Sequence, residues 1–271
     1  MTVRPRRLHI VGSSPRSGTT LAFELITSCF DIARFGDHEE SLFSRPLRPS
    51  GDYASKAPTE LVHVSRVLNW DPQLFCLYME RDPRDILASR HGSRPGDYWC
   101  DFPVWERNRA RLARIAPHPR LHICRYEDLV TAPDAAQARM AEAFPFLRQT
   151  RPFSAFGRAG TVTEAASQAL GGLRPVNAES IGSWRDHLPR IAAQLHEHPA
   201  LERAVIEAGY EHDPDWARIL TGITPDGRAS VRAQHDPLRT TRGPALIVAR
   251  ATRRLASLRR EVRYVWNAGR A

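Results

Sequence analysis

Short apolar runs alternate with helix-like patterns along the first part of the chain. Three apolar runs bounded by turn residues predict buried strands, at residues 8–11, 73–81 and within 120–129. Apolar residues at helical spacing predict helices between and after these strands, at residues 18–29, 61–68, 82–91, 106–115, 134–144, 186–195 and 199–210. Because strands that alternate with helices form βαβ units, we predict an α/β fold with a parallel sheet flanked by helices.

The pattern changes after residue 220. Residues 221–243 are polar and contain several Gly and Pro residues, so we interpret them as a linker that follows a single domain, residues 1–220. The remaining segment, residues 244–271, is predicted to form a basic amphipathic C-terminal helix over residues 244–266. Its apolar residues are spaced alternately three and four apart, which is a heptad stripe: Val248, Ala251, Leu255, Leu258, Val262 and Val265.

The net charge of +9 is concentrated in this C-terminal segment. From Arg239 onward there are nine arginines and a single acid, Glu261, which leaves about +1 for the residues before them. The domain is therefore not expected to bind nucleic acid. Three interpretations of the segment stay open. The stripe supports dimerisation or docking onto the domain, the arginines support contact with an anionic membrane surface with Tyr264 and Trp266 at its edge, and the third is disorder.

The sequence also gives an expectation about the cellular compartment of the protein. No segment approaches the roughly 18 consecutive apolar residues of a membrane span. The basic start of the chain is followed by a short apolar run, residues 8–12, which is too short for a secretory signal. We therefore expect a cytoplasmic protein, with a peripheral position at the inner membrane surface as the alternative. The cysteines form no C-x-x-C pair, so we expect reduced thiols and no metal site: Cys29, Cys76, Cys100 and Cys124.

The stretch GSSPRSGTT, residues 12–20, lies between the first predicted strand and the first predicted helix. Unpaired N–H groups and the dipole at the start of a helix favour phosphate there, and Ser17, Thr19 and Thr20 add hydroxyl donors. A Walker loop carries lysine where this sequence has Thr19, which disfavours magnesium-dependent ATP chemistry. The sequence thus predicts a P-loop-type phosphate site, against the simpler interpretation of a Gly/Ser turn that opens a helix.

Two stretches together resemble the nucleotide motifs of sulfotransferases that use 3′-phosphoadenosine 5′-phosphosulfate (PAPS) as donor. PRSGTT after a buried strand resembles the family's 5′-phosphosulfate loop, which implies that the donor is bound by these residues: Pro15, Arg16, Ser17, Gly18, Thr19 and Thr20. RDPRDILAS resembles the family's 3′-phosphate motif, with Arg81 at the end of a strand and Ser89 eight residues later. A helix cap with an Arg–Asp network explains RDPRD alone, but not the order and separation of both motifs.

Other segments are similar to the same family, and the resemblance covers roughly residues 7–215. SKAPTEL is similar to a K-x-P segment and implies a catalytic role for Lys56, which is the one lysine among the 39 basic residues. RYEDLV implies that Tyr126 lines the nucleotide site, and NAESIGSWRDHLP is similar to a segment that closes over the nucleotide, with Trp184. Arg16 and Lys56 are then expected to meet the negative charge that develops on the departing phosphate.

An acidic stretch supplies candidates for the general base. GDHEES, residues 36–41, falls where enzymes similar to tyrosylprotein sulfotransferases carry a catalytic glutamate. We prefer Glu40, because it precedes Ser41 as the family's glutamate precedes threonine, and Glu39 and His38 are the alternatives. A sulfuryl group carries less charge than a phosphoryl group, so no metal ion is expected.

The resemblance implies an enzyme that transfers a sulfuryl group in line from PAPS to an acceptor hydroxyl. Analogy favours a carbohydrate or glycolipid hydroxyl, with a phenol or tyrosine as the alternative. An aromatic stretch is interpreted either as acceptor-facing or as core: Tyr98, Trp99, Phe102 and Trp105. Two rival functions are a P-loop kinase for a small metabolite and a non-catalytic, membrane-associated adaptor.

Overall fold

The computed structural model describes residues 5–36, 39–44, 51–91, 94–159, 176–231 and 244–268. At its centre lies a five-stranded parallel sheet made of β1 (Arg7–Gly12), β2 (Arg34–Phe35), β3 (Tyr53–Lys56), β4 (Leu74–Glu80) and β7 (Leu121–Arg125). The strands lie in the order β2-β3-β1-β4-β7. A separate antiparallel pair is formed by β5 (Arg90–His91) and β6 (Arg94–Tyr98). The predicted α/β fold is confirmed.

Helices connect the strands and cover both faces of the sheet. They are α1 (Thr19–Cys29), α2 (Leu61–Trp70), α3 (Pro83–Ala88), α4 (Phe102–Leu112), α5 (Tyr126–Thr131), α6 (Pro133–Ala143), α7 (Phe156–Ala159), α8 (Leu188–Glu197), α9 (Ala200–Glu207) and α10 (Pro244–Ala268). Short 3₁₀ helices lie at Phe153–Ala155, Ser183–His187 and Pro214–Leu220. The predicted basic C-terminal helix is α10.

The side chains of β1 show how one strand serves both faces. Leu8 and Ile10 lie in the core that α1 covers, where they share a cluster with Phe23. Val11 lies in the opposite core, together with Val64 of α2. This alternation is the period of two that a strand imposes, and burial on both faces explains why β1 reads as a continuous apolar run. A third cluster, which includes Trp105, lies beneath α3, α8 and α9.

The register of the sheet brings four strand ends to one edge. Ile10 of β1 is paired with Lys56 at the end of β3, and Gly12 is paired with Met79 of β4. Glu80 at the end of β4 is paired with Arg125 at the end of β7. The residues that follow the strands therefore emerge side by side, at the edge where parallel α/β sheets bind their ligands.

Strand β3 is the main element that the sequence did not predict. YASK has four residues and only a weak apolar alternation, which is too little to predict a strand. All four residues are buried, because β3 lies between β1 and β2 in the sheet. The consequence for the site is that Lys56 belongs to a sheet strand and not to a surface turn.

The first residues of the segment interpreted as a linker pack against the domain. The Asp226 backbone N–H donates to the Pro189 carbonyl (2.8 Å), the Tyr98 hydroxyl donates to the Asp226 carboxylate (3.0 Å), and Ser230 is buried. Among the described residues, no helix is both long and apolar enough to cross a membrane.

Candidate functional site

The loop between β1 and α1 has the backbone geometry of an anion cradle. Arg16 and Gly18 both adopt left-handed conformations, with φ of 74° and 91°. The loop is held to the sheet because the Ser13 N–H donates to the Met79 carbonyl (2.9 Å). Gly18 precedes α1 and offers no side-chain cap, so the N–H groups of the first helical turn face the sheet edge with the positive end of the helix dipole.

The hydroxyl-bearing residues of this loop lie partly inside it. A Cβ at Gly12 would lie 2.0 Å from Ser17 Oγ and 3.1 Å from the Thr19 methyl carbon, so both side chains pack over Gly12. Ser17 Oγ is buried and has no hydrogen-bond partner among the described residues. Pro15 and Thr20 are half-buried at the loop surface. The donors that the loop can offer to a bound anion are therefore mainly backbone N–H groups.

Arg16 and Arg81 join the two predicted nucleotide motifs. Arg81 donates from Nη1 to the Arg16 carbonyl (3.1 Å), and Arg16 donates from Nε to the Ser89 hydroxyl (2.8 Å). Partial desolvation and repulsion by Arg81 lower the pKa of Arg16. The structure thus brings Arg16, Arg81 and Ser89 into one contact network, although the two motifs are more than 60 residues apart in the chain.

Tyr126 completes this network from the neighbouring strand. Because Glu80 and Arg125 are paired, the residues that follow them, Arg81 and Tyr126, lie next to each other. The Arg81 guanidinium carbon lies 4.3 Å from the centre of the Tyr126 ring, which is a cation–π contact. The same ring covers Gly18, where a Cβ would lie 2.5 Å from Tyr126 Cδ2. Gly18 is required both for its φ and for this close approach.

Asp85 holds a later segment against the site. Its carboxylate accepts hydrogen bonds from the N–H groups of Gly182 and Trp184, each at 3.0 Å. The Ser180 carbonyl then accepts a hydrogen bond from Arg81 Nη2 (2.7 Å). Burial raises the pKa of Asp85, while Arg81 acts in the opposite direction. The segment that was expected to close over a nucleotide therefore touches Arg81 through its backbone.

Trp184 itself lies in the core. It is 2% exposed, the Arg84 guanidinium carbon lies 4.3 Å from the centre of its ring, and the Trp216 ring packs edge-on with ring centres 6.1 Å apart. Asp82 caps α3, as predicted, and also pairs with Arg84 at 2.7 Å. The Arg–Asp network considered as the simpler explanation of RDPRD is thus present: Arg84 pairs with Asp82, and Arg81 lies 3.8 Å from the Asp85 carboxylate.

Lys56 is a buried cation at the end of β3. It is 1% exposed, and its Nζ has no hydrogen-bond partner among the described residues. Burial lowers the pKa of Lys56, and the charges of Glu39 and Glu24 oppose that change. Glu24 lies on α1, is 3% exposed, and has a pKa raised by burial to about 7 despite the attraction of Lys56. The structure therefore places a cation and a titratable acid together.

The acidic segment is fixed against the end of β3. The Glu40 N–H donates to the Lys56 carbonyl (2.9 Å), and the Glu40 carboxylate accepts a hydrogen bond from the Tyr53 hydroxyl. The Glu60 carboxylate accepts from the Ser41 hydroxyl (2.7 Å), which ties the segment to the start of α2. Burial opposes ionisation of Glu60, but its donors hold its pKa at about 2.

The three candidate bases differ in position. Glu40 is engaged with Tyr53, whose pKa is raised by burial and by this contact. Glu39 is exposed and is the first of the two carboxylates that act on Lys56. His38 lies outside the described residues. Glu39 is thus the more exposed of the two described carboxylates, and Glu40 is the one bonded to Tyr53.

The predicted acceptor-facing aromatics are mostly core. Tyr98, Phe102 and Trp105 are each at most 2% exposed. Trp99 is partly exposed and stacks on His91 with ring centres 3.9 Å apart. Across the described part of the chain, no group of three or more His, Cys, Asp or Glu side chains is arranged to hold a metal ion.

Sequence reasoning missed Glu24, Glu60 and Asp85. Glu24 had a usable signal, since it is an acid inside the apolar run LAFELI and falls on the buried face of α1. Glu60 and Asp85 lie at or near the start of helices, where an acid has an ordinary capping or dipole role. Their contacts with distant backbone groups depend on tertiary packing, which local sequence does not show.

Comparison with known proteins finds similarity among solved structures. The chain matches no protein-family model and no curated protein. Among solved structures, it is similar to the sulfotransferase domain from the curacin biosynthetic pathway. That match has 14% identity and a TM-score of 0.39, and covers 69% of this chain and 98% of that domain.

We predict that Gly18→Ala destabilises the protein more than Gly222→Ala does. Both glycines have positive φ, 91° and 77°, so both variants incur a backbone cost of about 1–2 kcal/mol. Only Gly18 meets a neighbour, the Tyr126 ring, which adds about 1–3 kcal/mol for overpacking. Chemical denaturation of both variants measures the difference. In a Tyr126→Ala background the extra cost of Gly18→Ala should vanish, and its persistence would contradict the contact.

We predict a pH-dependent stability difference between the wild type and Glu24→Gln. The pKa of Glu24 is raised from 4.5 to about 7 on folding, so the folded state binds the extra proton. The contribution of Glu24 to stability is therefore present at low pH and is lost as the pH rises through 7. From pH 5 to pH 8 the free energy of unfolding of the wild type should fall by about 2 kcal/mol relative to Glu24→Gln.

Denaturant titrations at both pH values test this difference. Glu106→Gln removes an exposed acid of α4 and serves as the matched control, for which no such trend is expected. A difference for Glu24→Gln that is the same at pH 5 and pH 8 would show that Glu24 titrates normally.

Proposed function

We propose that this chain is a sulfotransferase that moves a sulfuryl group from PAPS to an acceptor hydroxyl. The observation that carries the proposal is the direct contact between the two nucleotide motifs. Arg81 holds the loop at the Arg16 carbonyl, and Arg16 in turn reaches Ser89. Lys56 and Tyr126 reach the same sheet edge from the two flanking strands, so four strand ends supply one cationic site.

The side chains present suit a donor with two separate anionic groups. Ser17 Oγ, Lys56 Nζ and Arg81 Nε are buried without hydrogen-bond partners among the described residues. The hydrogen bonds that Arg16 and Arg81 make go to neutral oxygens, a hydroxyl and two carbonyls. Asp85 lies 3.8 Å from Arg81 and is the charge that partly balances it. Phosphate oxygens would satisfy these donors with stronger, charge-assisted bonds.

Each motif has its own role in this proposal. Arg81 and Ser89 would hold the 3′-phosphate, with Tyr126 beside them. The N–H groups of residues 17–20, together with Arg16, would hold the 5′-phosphate at the start of α1. Lys56 approaches the same loop from beneath as a flexible point charge. This division follows the family resemblance.

The bound donor supplies an activated sulfuryl group, and the residues supply charge stabilisation and a proton acceptor. As the acceptor oxygen bonds to sulfur, the bond from sulfur to the bridging oxygen breaks and the bisphosphate leaves. Arg16, Lys56 and the loop N–H groups stabilise the charge gained by the departing phosphate. A carboxylate takes the proton of the acceptor hydroxyl. We place Glu39 ahead of Glu40 in this role, since Glu40 is bonded to Tyr53.

For the acceptor, we retain a carbohydrate or glycolipid hydroxyl, with a phenol or tyrosine as the alternative. Trp99 is the partly exposed aromatic residue of its stretch. One of its faces stacks on His91, and aromatic rings suit the apolar face of a sugar. The rival kinase would need a lysine at the position of Thr19, and the rival adaptor would not need Arg16, Lys56, Arg81 and Ser89 together.

We predict that the full chain binds adenosine 3′,5′-bisphosphate more tightly than ADP or ATP with magnesium. Arg81→Ala should weaken this binding by about 10- to 100-fold, because it removes a charged donor to the 3′-phosphate. Isothermal titration measures both effects. Arg203→Ala removes an exposed arginine of α9 and should leave the affinity unchanged. Preference for ATP with magnesium would favour the kinase, and binding of neither nucleotide would favour the adaptor.

We predict that Glu39→Gln lowers the rate of sulfate transfer by about 100-fold or more while the affinity for the bisphosphate stays unchanged. Glu40→Gln should retain most of the activity, because the amide oxygen of the introduced glutamine can still accept the hydrogen bond of Tyr53. Transfer from labelled PAPS to a panel of sugars, glycolipids and phenols measures the rates, with Arg16→Ala as the inactive reference. Loss of turnover in Glu40→Gln alone would identify Glu40 as the base.

A further inference from the structure

The C-terminal helix α10 is attached to the domain through its polar side chains. Glu261 is fully buried and pairs with His63 (2.8 Å) and Arg66 (2.7 Å) of α2. Tyr264 is also buried, and its hydroxyl donates to the Asp71 carboxylate (2.6 Å) and accepts a hydrogen bond from Arg7 (2.5 Å). The face of α10 that meets the protein is therefore polar and hydrogen-bonded.

The apolar face of α10 points to solvent. Its exposed apolar side chains are Ile247 (70% exposed), Val248 (64%), Leu255 (57%), Leu258 (39%), Val262 (53%) and Trp266 (62%). At 3.6 residues per turn these positions fall within one stripe, which is rotated by roughly one third of a turn from the face that carries Glu261 and Tyr264. A surface helix normally buries its apolar stripe, so α10 has the reverse arrangement.

The charged residues of α10 indicate what kind of partner can cover this apolar stripe. The helix contains six arginines, all exposed: Arg250, Arg253, Arg254, Arg259, Arg260 and Arg263. Its single acid, Glu261, is buried against α2. The exposed surface of α10 therefore combines an apolar stripe with charges of one sign. Two copies packed through the stripe would bring these arginines together without any acid of α10 to pair with them.

We propose that α10 is a membrane-surface anchor that lays its apolar stripe on an anionic lipid bilayer. The stripe would enter the boundary between headgroups and acyl chains, with the arginines on lipid phosphates and Trp266 at the interface. The polar contacts of Glu261 and Tyr264 fix the helix to the domain in the orientation that leaves the stripe exposed. This anchor is independent of the proposed sulfate transfer, because it rests on a surface that lacks the site residues.

Sedimentation of the full chain with lipid vesicles tests the proposal. We expect binding to vesicles of phosphatidylcholine with about one third phosphatidylglycerol to be at least about tenfold stronger than binding to pure phosphatidylcholine. Replacing Arg254 and Arg259 by Gln should weaken binding to the anionic vesicles by about tenfold or more. The matched control replaces Arg203 and Arg218, which are exposed elsewhere, by Gln and should bind like the wild type.

A second pair of variants tests the apolar stripe. Leu255→Gln combined with Val262→Gln should reduce vesicle binding without changing the thermal stability, since both side chains are already exposed. Equal vesicle binding by the wild type and both helix variants would overturn the proposal. Absence of vesicle binding, together with a dimer in analytical ultracentrifugation that the Leu255→Gln, Val262→Gln variant abolishes, would identify a second copy as the partner and also overturn it.

Discussion

The guanidinium of Arg81 is the contact on which the arrangement of the site depends. It donates to the Arg16 carbonyl of the loop and to the Ser180 carbonyl of a later segment, and it lies over the Tyr126 ring. The Asp85 carboxylate lies 3.8 Å from Arg81 and partly balances its charge. The side chain that orders three distant segments is therefore the same one to which we assign the 3′-phosphate.

Beneath this edge, the site contains charges that are not fully paired. Lys56 is buried without a hydrogen-bond partner among the described residues, and Glu24 nearby has a pKa of about 7. A protein that needed only stability would bury apolar residues at both positions, because unpaired buried charge is costly. Perturbed groups of this kind occur at functional sites and also in structural ion-pair networks. In the proposed function, this pair lies at the site that binds the anionic donor.

The sequence predicted the parts of this structure that local patterns control. The α/β fold followed from alternating strands and helices, and the family resemblance implied that Arg16, Arg81 and Tyr126 line one site. The sequence did not predict the burial of Trp184 or the hydrogen bond from Tyr53 to Glu40. Both depend on which side chains from distant parts of the chain pack against them. Strand β3 was missed because four residues carry too little periodicity.

For the C-terminal helix too, the sequence predicts the local pattern but not the tertiary contacts. Its heptad stripe correctly marks one apolar face, but the stripe alone suggests a protein partner. In the structure the buried ion pairs of Glu261 and the hydrogen bonds of Tyr264 attach α10 instead. Buried pairs of this kind contribute more to orientation than to net stability, since desolvation offsets much of their attraction. The polar contacts therefore fix the direction of the apolar face. In the membrane-anchor proposal, the arginines beside that face favour an anionic lipid surface.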